Sequence, residues 1–368
     1  MVSYKEIMKS TIVRKPLMSI SSIFSTYRHS KKASMPFKLK FESSSLCNLK
    51  CKMCPLNNGL KRKTGFLKFE NFKRVFDQIK PAYLNLTGIG EPFLNPDIFK
   101  IVKYGKKNKA MVKFDTNANI LNNEKIKKIL ETKIDIISIS IDGTDKKSYE
   151  RIRIKGNFDI MKKNVKMLVE ERNKMKSETK IHMFFVLQED NIRELPKFIK
   201  LADELGVDYV AGSFVVTLGK NDNKKNKLLD YSSGFKELLK ETEEAVKNAQ
   251  TEVSIGPLLE YLKFDGDKRF YNKNKPCFMP WYSVFITWDG WVNPCDFSCD
   301  NEIVFGNAFE QPFKEIWNND KLKKFRMDLL KNRQKIGICR GCGVDETYIE
   351  KEFKKIDLIP FMKFFSKK

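Results

Sequence analysis

The sequence predicts an α/β fold, a partial (β/α)6 TIM-like barrel followed by a small cysteine-rich C-terminal domain. Three observations predict it. Strand-like and helix-like segments alternate six times between residues 37 and 216. A polar stretch, 219–233, then interrupts the alternation. Beyond residue 276, Cys, Pro, Trp and Gly become dense and the apolar runs shorten.

The elements follow in order. Residues 1–36 are basic and weakly amphipathic, with Ile7, Met8, Ile12, Leu17, Ile20, Ile23 and Phe24 on one prospective helix face. "FKLKFES" (37–43) alternates as a strand does and runs directly into "CNLKCKMC". Further strands are expected at 82–88, 111–117, 134–142, 180–188 and 207–216. The segments between them carry apolar residues at helical spacing. Such alternation builds a parallel sheet with crossover helices and puts the chemistry at the C-terminal ends of the strands. A helix is expected near 234–249. The chain therefore divides into an N-terminal extension (1–36), a barrel (37–218), a linker with a helix (219–275), a second domain (276–346) and a basic, aromatic tail (347–368). The second domain is expected to be held by its own cysteines rather than by a large core.

The chain has 368 residues and a net charge of +24, with Lys far outnumbering Arg. The lysines are scattered over nearly every predicted helix, which suits solvated faces better than a polyanion groove, so nucleic acid is not the expected partner. No apolar run approaches the ~18–20 residues of a membrane span, and the start lacks the apolar core of a secretory signal. A cytoplasmic location is the default. The two basic ends, rich in Ile, Leu, Met and Phe, would suit peripheral contact with an anionic membrane.

The eight cysteines fall into two groups. In a cytosolic chain, clustering of this kind points to metal or redox chemistry rather than a disulfide framework. Cys47, Cys51 and Cys54 lie in a loop directly after the first strand. Three soft thiolates suit either zinc with a remote fourth ligand or an iron–sulfur cubane with one iron left open.

The span from about 37 to 216 resembles the radical S-adenosylmethionine (SAM) enzymes in several ordered motifs. "GIGEP" (88–92) resembles the GGE-type segment, which implies that Gly88, Gly90 and Glu91 hold the methionine amino group of SAM. "FDTNANIL" (114–121) resembles the TNG segment with Thr116 and Asn117, although the glycine is Ala118 here. "SISIDG" (138–143) resembles the segment that sets Ser140 and Asp142 near the SAM ribose and carboxylate. In "YERIRIKGNFDIMKKNVKML", Arg153 matches an arginine that reaches the SAM carboxylate. The residue before the third cysteine, commonly aromatic, is Met53. The resemblance implies that Cys47, Cys51 and Cys54 bind a [4Fe–4S] cluster whose fourth iron takes SAM. It also implies a 5′-deoxyadenosyl radical that abstracts a substrate hydrogen, and a one-electron donor of the ferredoxin or flavodoxin type.

The C-terminal region resembles the SPASM module in its short, twitch form. Cys277 and Cys295 flank Gly290 at the spacing C-x12-G-x4-C, and "CRGC" supplies Cys339 and Cys342. The resemblance implies that these four cysteines bind one auxiliary [4Fe–4S] cluster. A structural zinc ribbon is the alternative for the same ligands. Cys299 is then surplus, either a buried small apolar residue or a candidate catalytic thiol. The expected substrate is a small molecule or a peptide: oxidation of an alcohol or sugar carbon, modification of a peptide side chain, or chemistry on a lipid-linked sugar. A non-catalytic iron–sulfur or zinc protein that binds nucleic acid is the competing class.

Overall fold

The computed structural model describes residues 14–215, 235–263, 277–340 and 342. A lead-in helix, α1 (Pro16–Tyr27), precedes β1 (Lys38–Phe41). The alternation then runs α2 (Phe69–Ile79), β2 (Tyr83–Asn85), α3 (Ile98–Lys107), β3 (Met111–Thr116), α4 (Asn123–Glu131) and β4 (Ile136–Ser140). It continues with α5 (Lys146–Ile152), α6 (Phe158–Lys174), β5 (Lys180–Leu187), α7 (Leu195–Leu205) and β6 (Tyr209–Phe214). Helix α8 (Phe235–Asn248), strand β7 (Glu252–Ser254) and helix α9 (Gly256–Lys263) follow. The C-terminal part holds α10 (Met279–Tyr282), β8 (Ser283–Ile286), β9 (Trp291–Asn293), β10 (Gly306–Asn307), α11 (Phe313–Trp317), α12 (Asp320–Asn332) and α13 (Gly337–Arg340).

All ten strands join one sheet, in the order β10-β9-β8-β1-β2-β3-β4-β5-β6-β7. Strands from β8 to β7 run parallel; β9 and β10 are antiparallel additions at one edge. The six expected strands are present, each shortened to the residues that share ladder bonds. Side chains alternate across a strand, so Leu39 and Phe41 of β1 bury completely in the main core while Lys38 and Lys40 lie on the other face. At the lower end of that face Tyr83, Met111 and Ile136 form a small apolar plug of their own. Beside it His182 packs on Tyr209, ring centroids 4.8 Å apart. Burial holds the His182 imidazole well below its usual range.

The C-terminal region is not held by cysteines alone. Strand β8 pairs in parallel with β1, from Lys38 opposite Ser283 to Phe41 opposite Ile286. Trp281, Tyr282, Phe313 and Trp317 belong to the same continuous core as the barrel. The physical reason lies in β1. Without β8 it would be an edge strand with a row of unpaired backbone groups beside apolar side chains. The linker, too, contributes β7 and α9 to the fold; residues 216–234 and 264–276 lie outside the described residues, and so does the expected polar boundary at 219–233.

The N-terminal extension is tied down from residue 14 onward. Arg14 pairs with Asp135 at 2.5 Å. Trp281 donates Nε1 to the Ser30 carbonyl, and Trp317 donates Nε1 to the Ser34 carbonyl, both at 2.7 Å. Arg326, fully buried, donates to the carbonyls of Pro280, Lys31 and Trp317. The described part of the extension therefore serves packing. The rest of the basic ends, 1–13 and 343–368, lies outside the described residues. Among the described residues no helix is long and apolar enough to cross a membrane.

A chain shortened to end at residue 275 is expected to expose the β1 edge and lose cooperative thermal unfolding. Calorimetry and size-exclusion chromatography check this; a monomeric, cooperatively melting product would show that β8 is dispensable to the barrel.

Candidate active site

The loop after β1 is pinned from both sides. Lys50 and Lys52 donate their amides to the carbonyls of Ile154, just past α5, and Ile152, its last residue, at 2.8 and 2.9 Å. Asn58 caps the loop carbonyls of Lys52 and Cys54 with Nδ2 at 2.6 and 2.8 Å. Each of the three thiols then meets a different remote segment. Cys54 Sγ faces the Ile89 carbonyl at 3.7 Å. Cys47 Sγ receives Asn117 Nδ2 at 3.8 Å and the Leu49 amide at 3.4 Å. Cys51 Sγ has Arg153 Nη1 at 4.0 Å. Burial pushes Cys47 up to about 12 and Cys54 up to about 11. It raises Cys51 as well, with Arg153 working against the shift. Metal-free, these thiols stay protonated, and a metal must displace the protons to bind.

The turn at 88–91 reaches the loop because Gly90 has no side chain. A Cβ there would fall 2.4 Å from the Leu46 carbonyl oxygen. In its absence Gly90 and Glu91 donate their amides to the carbonyls of Ser44 and Leu46 at 3.1 and 2.8 Å. Glu91 itself is 1% exposed. Its Oε1 receives Thr116 Oγ1 at 2.7 Å and the Phe93 amide at 3.3 Å, and its Oε2 receives the Asn117 amide at 2.9 Å. The carboxylate therefore holds Thr116 and Asn117 in place and turns inward from the loop. Asn117 Nδ2 also donates to Asn48 Oδ1 at 2.9 Å, which locks the strand end to the cysteine loop. The next residue, Ala118, is buried with φ +58°. That left-handed backbone is where a glycine fits without strain, which explains why the related segment reads TNG.

Asp142 and Arg153 form a buried ion pair, Oδ2 to Nη2 at 2.6 Å. Asp142 Oδ1 receives the Val186 amide at 2.9 Å. Burial works against the Arg153 charge, but Asp142 and Cys51 outweigh it and raise its pKa. Ser140 ends β4 and is partly exposed. Gly88, Ile89 and Gly90 are partly exposed as well.

The second cysteine group gathers around Arg333. This buried guanidinium donates Nη2 to the Cys342 carbonyl at 2.9 Å and lies within electrostatic reach of Cys277, Cys339 and Cys342. Cys295 is pushed well up, first by burial and then by Asp296, Cys342 and Cys339. Cys295, Cys339 and Cys342 are thus within electrostatic reach of one another, and Cys277, Cys339 and Cys342 of Arg333. Cys299 is elsewhere. It is 1% exposed, pushed up to about 12 by burial, and its charged neighbours are Glu302, Arg62, Glu42 and Asp300. A thiolate-bound cluster is anionic, so a buried arginine beside each group fits such a ligand set.

A cavity of about 240 Å³ opens beside Cys54 and Asp296, the neighbour of Cys295. Lys40, Cys54, Pro55, Gly88, Ile89, Phe285, Asp296 and Phe297 line it. Lys40 Nζ pairs with Asp296 Oδ2 at 2.5 Å. Sequence reasoning missed Lys40, Glu42, Asn48, Arg62 and Asp296. The alternation of "FKLKFES" carried one signal, since it puts Lys38 and Lys40 on the face away from the helices. Arg62 and Asp296 had none, because the fold alone brings them to β1.

Ala118→Val is expected to lower stability by about 2 kcal/mol, because a β-branched side chain is strained in the left-handed region. Chemical denaturation checks it.

Residues 41–202 match the radical SAM superfamily, and residues 277–343 match SPASM, an iron–sulfur cluster-binding domain. The AdoMet-dependent heme synthase of Methanosarcina barkeri is 26% identical over 319 residues, covering 83% of this chain and 88% of that protein. The mycofactocin maturase MftC of Mycobacterium tuberculosis is 25% identical over 312 residues, covering 84% and 76%. In fold, the chain resembles Streptococcus suis SuiB bound to the precursor peptide SuiA, with a TM-score of 0.65, 18% identity, and coverage of 88% and 73%. The match replaces the nucleic-acid-binding alternative with an enzyme. The chain thus carries a radical SAM domain over residues 41–202 and a SPASM iron–sulfur domain over residues 277–343, the make-up of a radical SAM enzyme with S-adenosylmethionine and iron–sulfur clusters as its cofactors.

Proposed function

We propose that Cys47, Cys51 and Cys54 hold a [4Fe–4S] cluster whose open iron takes SAM. On the same reading Cys277, Cys295, Cys339 and Cys342 hold an auxiliary [4Fe–4S] cluster, and the enzyme modifies a group carried by a peptide or a cofactor precursor. The observation that carries this is the threefold contact of the cysteine loop, with Ile89, Asn117 and Arg153 each at a different thiol. When bound, cluster and SAM supply one-electron cleavage of the sulfonium and a 5′-deoxyadenosyl radical that removes a substrate hydrogen.

The chain's own residues have separable tasks. The partly exposed turn Gly88–Ile89–Gly90 and Ser140 offer backbone and hydroxyl groups toward SAM. Glu91 and Thr116 act at one remove, by fixing Asn117. Asp142 fixes Arg153. The cavity beside Cys54 and Asp296 has room for one reacting group rather than a whole ligand, since sites for drug-sized molecules start near ~300 Å³. Phe285 and Phe297 would limit the access of water to the reacting group, and the Lys40–Asp296 pair would orient the polar end of the substrate. An auxiliary cluster held by Cys277, Cys295, Cys339 and Cys342 would assist electron transfer or substrate binding. An external one-electron donor completes the cycle. Relatives named for heme and mycofactocin, and a structural neighbour bound to a precursor peptide, support a peptide or cofactor-type substrate.

Protein reconstituted without oxygen is expected to hold about eight irons, two cubanes of four, and to release 5′-deoxyadenosine from SAM with dithionite. The triple variant Cys47→Ala, Cys51→Ala, Cys54→Ala is expected to lose half the iron and all cleavage; full cleavage would overturn the assignment. In protein purified without oxygen, stoichiometric zinc with iron near four would replace the auxiliary cluster by a zinc site.

A further inference from the structure

Glu42 follows β1 and is completely buried. Its Oε1 receives Arg62 Nη2 at 2.7 Å and the Ile89 amide at 3.2 Å, and its Oε2 receives the Trp288 amide at 3.3 Å. Arg62 belongs to the strap between the cysteine loop and α2, and its side chain is 5% exposed. It also donates Nε to the Cys299 carbonyl. Asp300 Oδ1 receives the amides of Lys61 and Arg62 at 2.8 and 2.9 Å. Two residues of the C-terminal domain thus hold the strap, and the strap passes its guanidinium to Glu42. On the other side Glu42 meets the turn that faces the cysteine loop. Gly88 lies so close that a Cβ would fall 2.2 Å from Glu42 Cγ. Ile89 offers its amide to Glu42 and its carbonyl to Cys54. A contact chain therefore runs from Asp300 through Arg62, Glu42 and Ile89 to Cys54.

We propose that Glu42 and Arg62 form a positioning pair through which the auxiliary-cluster domain sets the turn at 88–91 against SAM. This rests on Cys47, Cys51 and Cys54 being the SAM cluster site. Neither residue lines the cavity, so each acts through Ile89 and Gly88. A buried pair is costly to separate. A shift at the Asp300 end therefore moves the guanidinium, the carboxylate and the turn together instead of being absorbed between them.

The test uses the full chain with its clusters and three variants. Glu42→Gln keeps the shape and an amide acceptor but drops the charge. Arg62→Lys keeps the charge but loses the fork that joins Glu42 to Cys299. Asp300→Ala is partly exposed, sits in the other domain and touches neither cysteine group. The readouts are iron content, the auxiliary-cluster midpoint potential, and the SAM-induced change in the electron paramagnetic resonance spectrum of the reduced N-terminal cluster, titrated with SAM. Iron and auxiliary potential are expected to match the wild type. The SAM titration is expected to shift about tenfold in the first two variants and about threefold in Asp300→Ala. A wild-type titration in Asp300→Ala and Arg62→Lys overturns the proposal, and so does loss of the N-terminal cluster iron in all three. Because Asp300 is partly exposed, its variant decides the matter even where a buried change unfolds the chain. A wild-type protein with no SAM-dependent spectral change overturns the underlying reading instead.

Discussion

A carboxylate with no access to water sits where the first strand, the strap after the cysteine loop and the C-terminal domain meet. Burial pushes the Glu42 carboxyl up, and the Arg62 guanidinium with the amides of Ile89 and Trp288 opposes that shift. Such a group is tolerable only where every partner arrives. The partners come from three parts of the sequence, so the position of Glu42 depends on all of them. The parallel pairing of β8 with β1 brings the Trp288 amide to it. Asp300 brings the strap. The barrel and the cluster domain are therefore parts of one packed object, with a shared sheet and a shared core. Trp281, Trp317 and Arg326 extend that object to the N-terminal lead-in.

The same logic repeats around each cysteine group. Thiols are buried, which opposes ionisation, and an arginine stands beside them. Arg153 reaches Cys51 from one side while Asp142 holds it from the other. Arg333 reaches three thiols of the second group. Glu91 shows how the arrangement is built without waste. Its two oxygens hold the C-terminal end of β3, and Asn117, held by that contact, reaches both Asn48 and Cys47. Precision at the loop thus comes from residues that do not themselves face it. Beside Cys54, two phenylalanines and one ion pair border a small cavity.

The six-fold alternation was legible because strand and helix periods are local. So were the cysteine loop, the turn at 88–91 and the TNA segment, since each follows directly from a strand end. The departure at Ala118 was legible as a letter, but its meaning waited for the φ angle. The C-terminal region was read as a separate module held by cysteines because its strands are too short to announce a partner. Pairing between Lys38 and Ser283 spans the length of the barrel, and no local period records it.

By itself, then, the sequence determined the order of elements, the two thiol groups and the segments expected around SAM. These depend on side chains a few residues apart along one strand or loop. Tertiary structure decided which carboxylates face inward, which arginine meets which thiol, and that Asp296 and Arg62 come to β1. Those outcomes depend on desolvation and on hydrogen-bond geometry between residues from 20 positions apart, as for Arg62 and Glu42, to 256, as for Lys40 and Asp296. A buried charge chooses its partner by what the fold brings within about 3 Å, and that distance is not written in spacing along the chain.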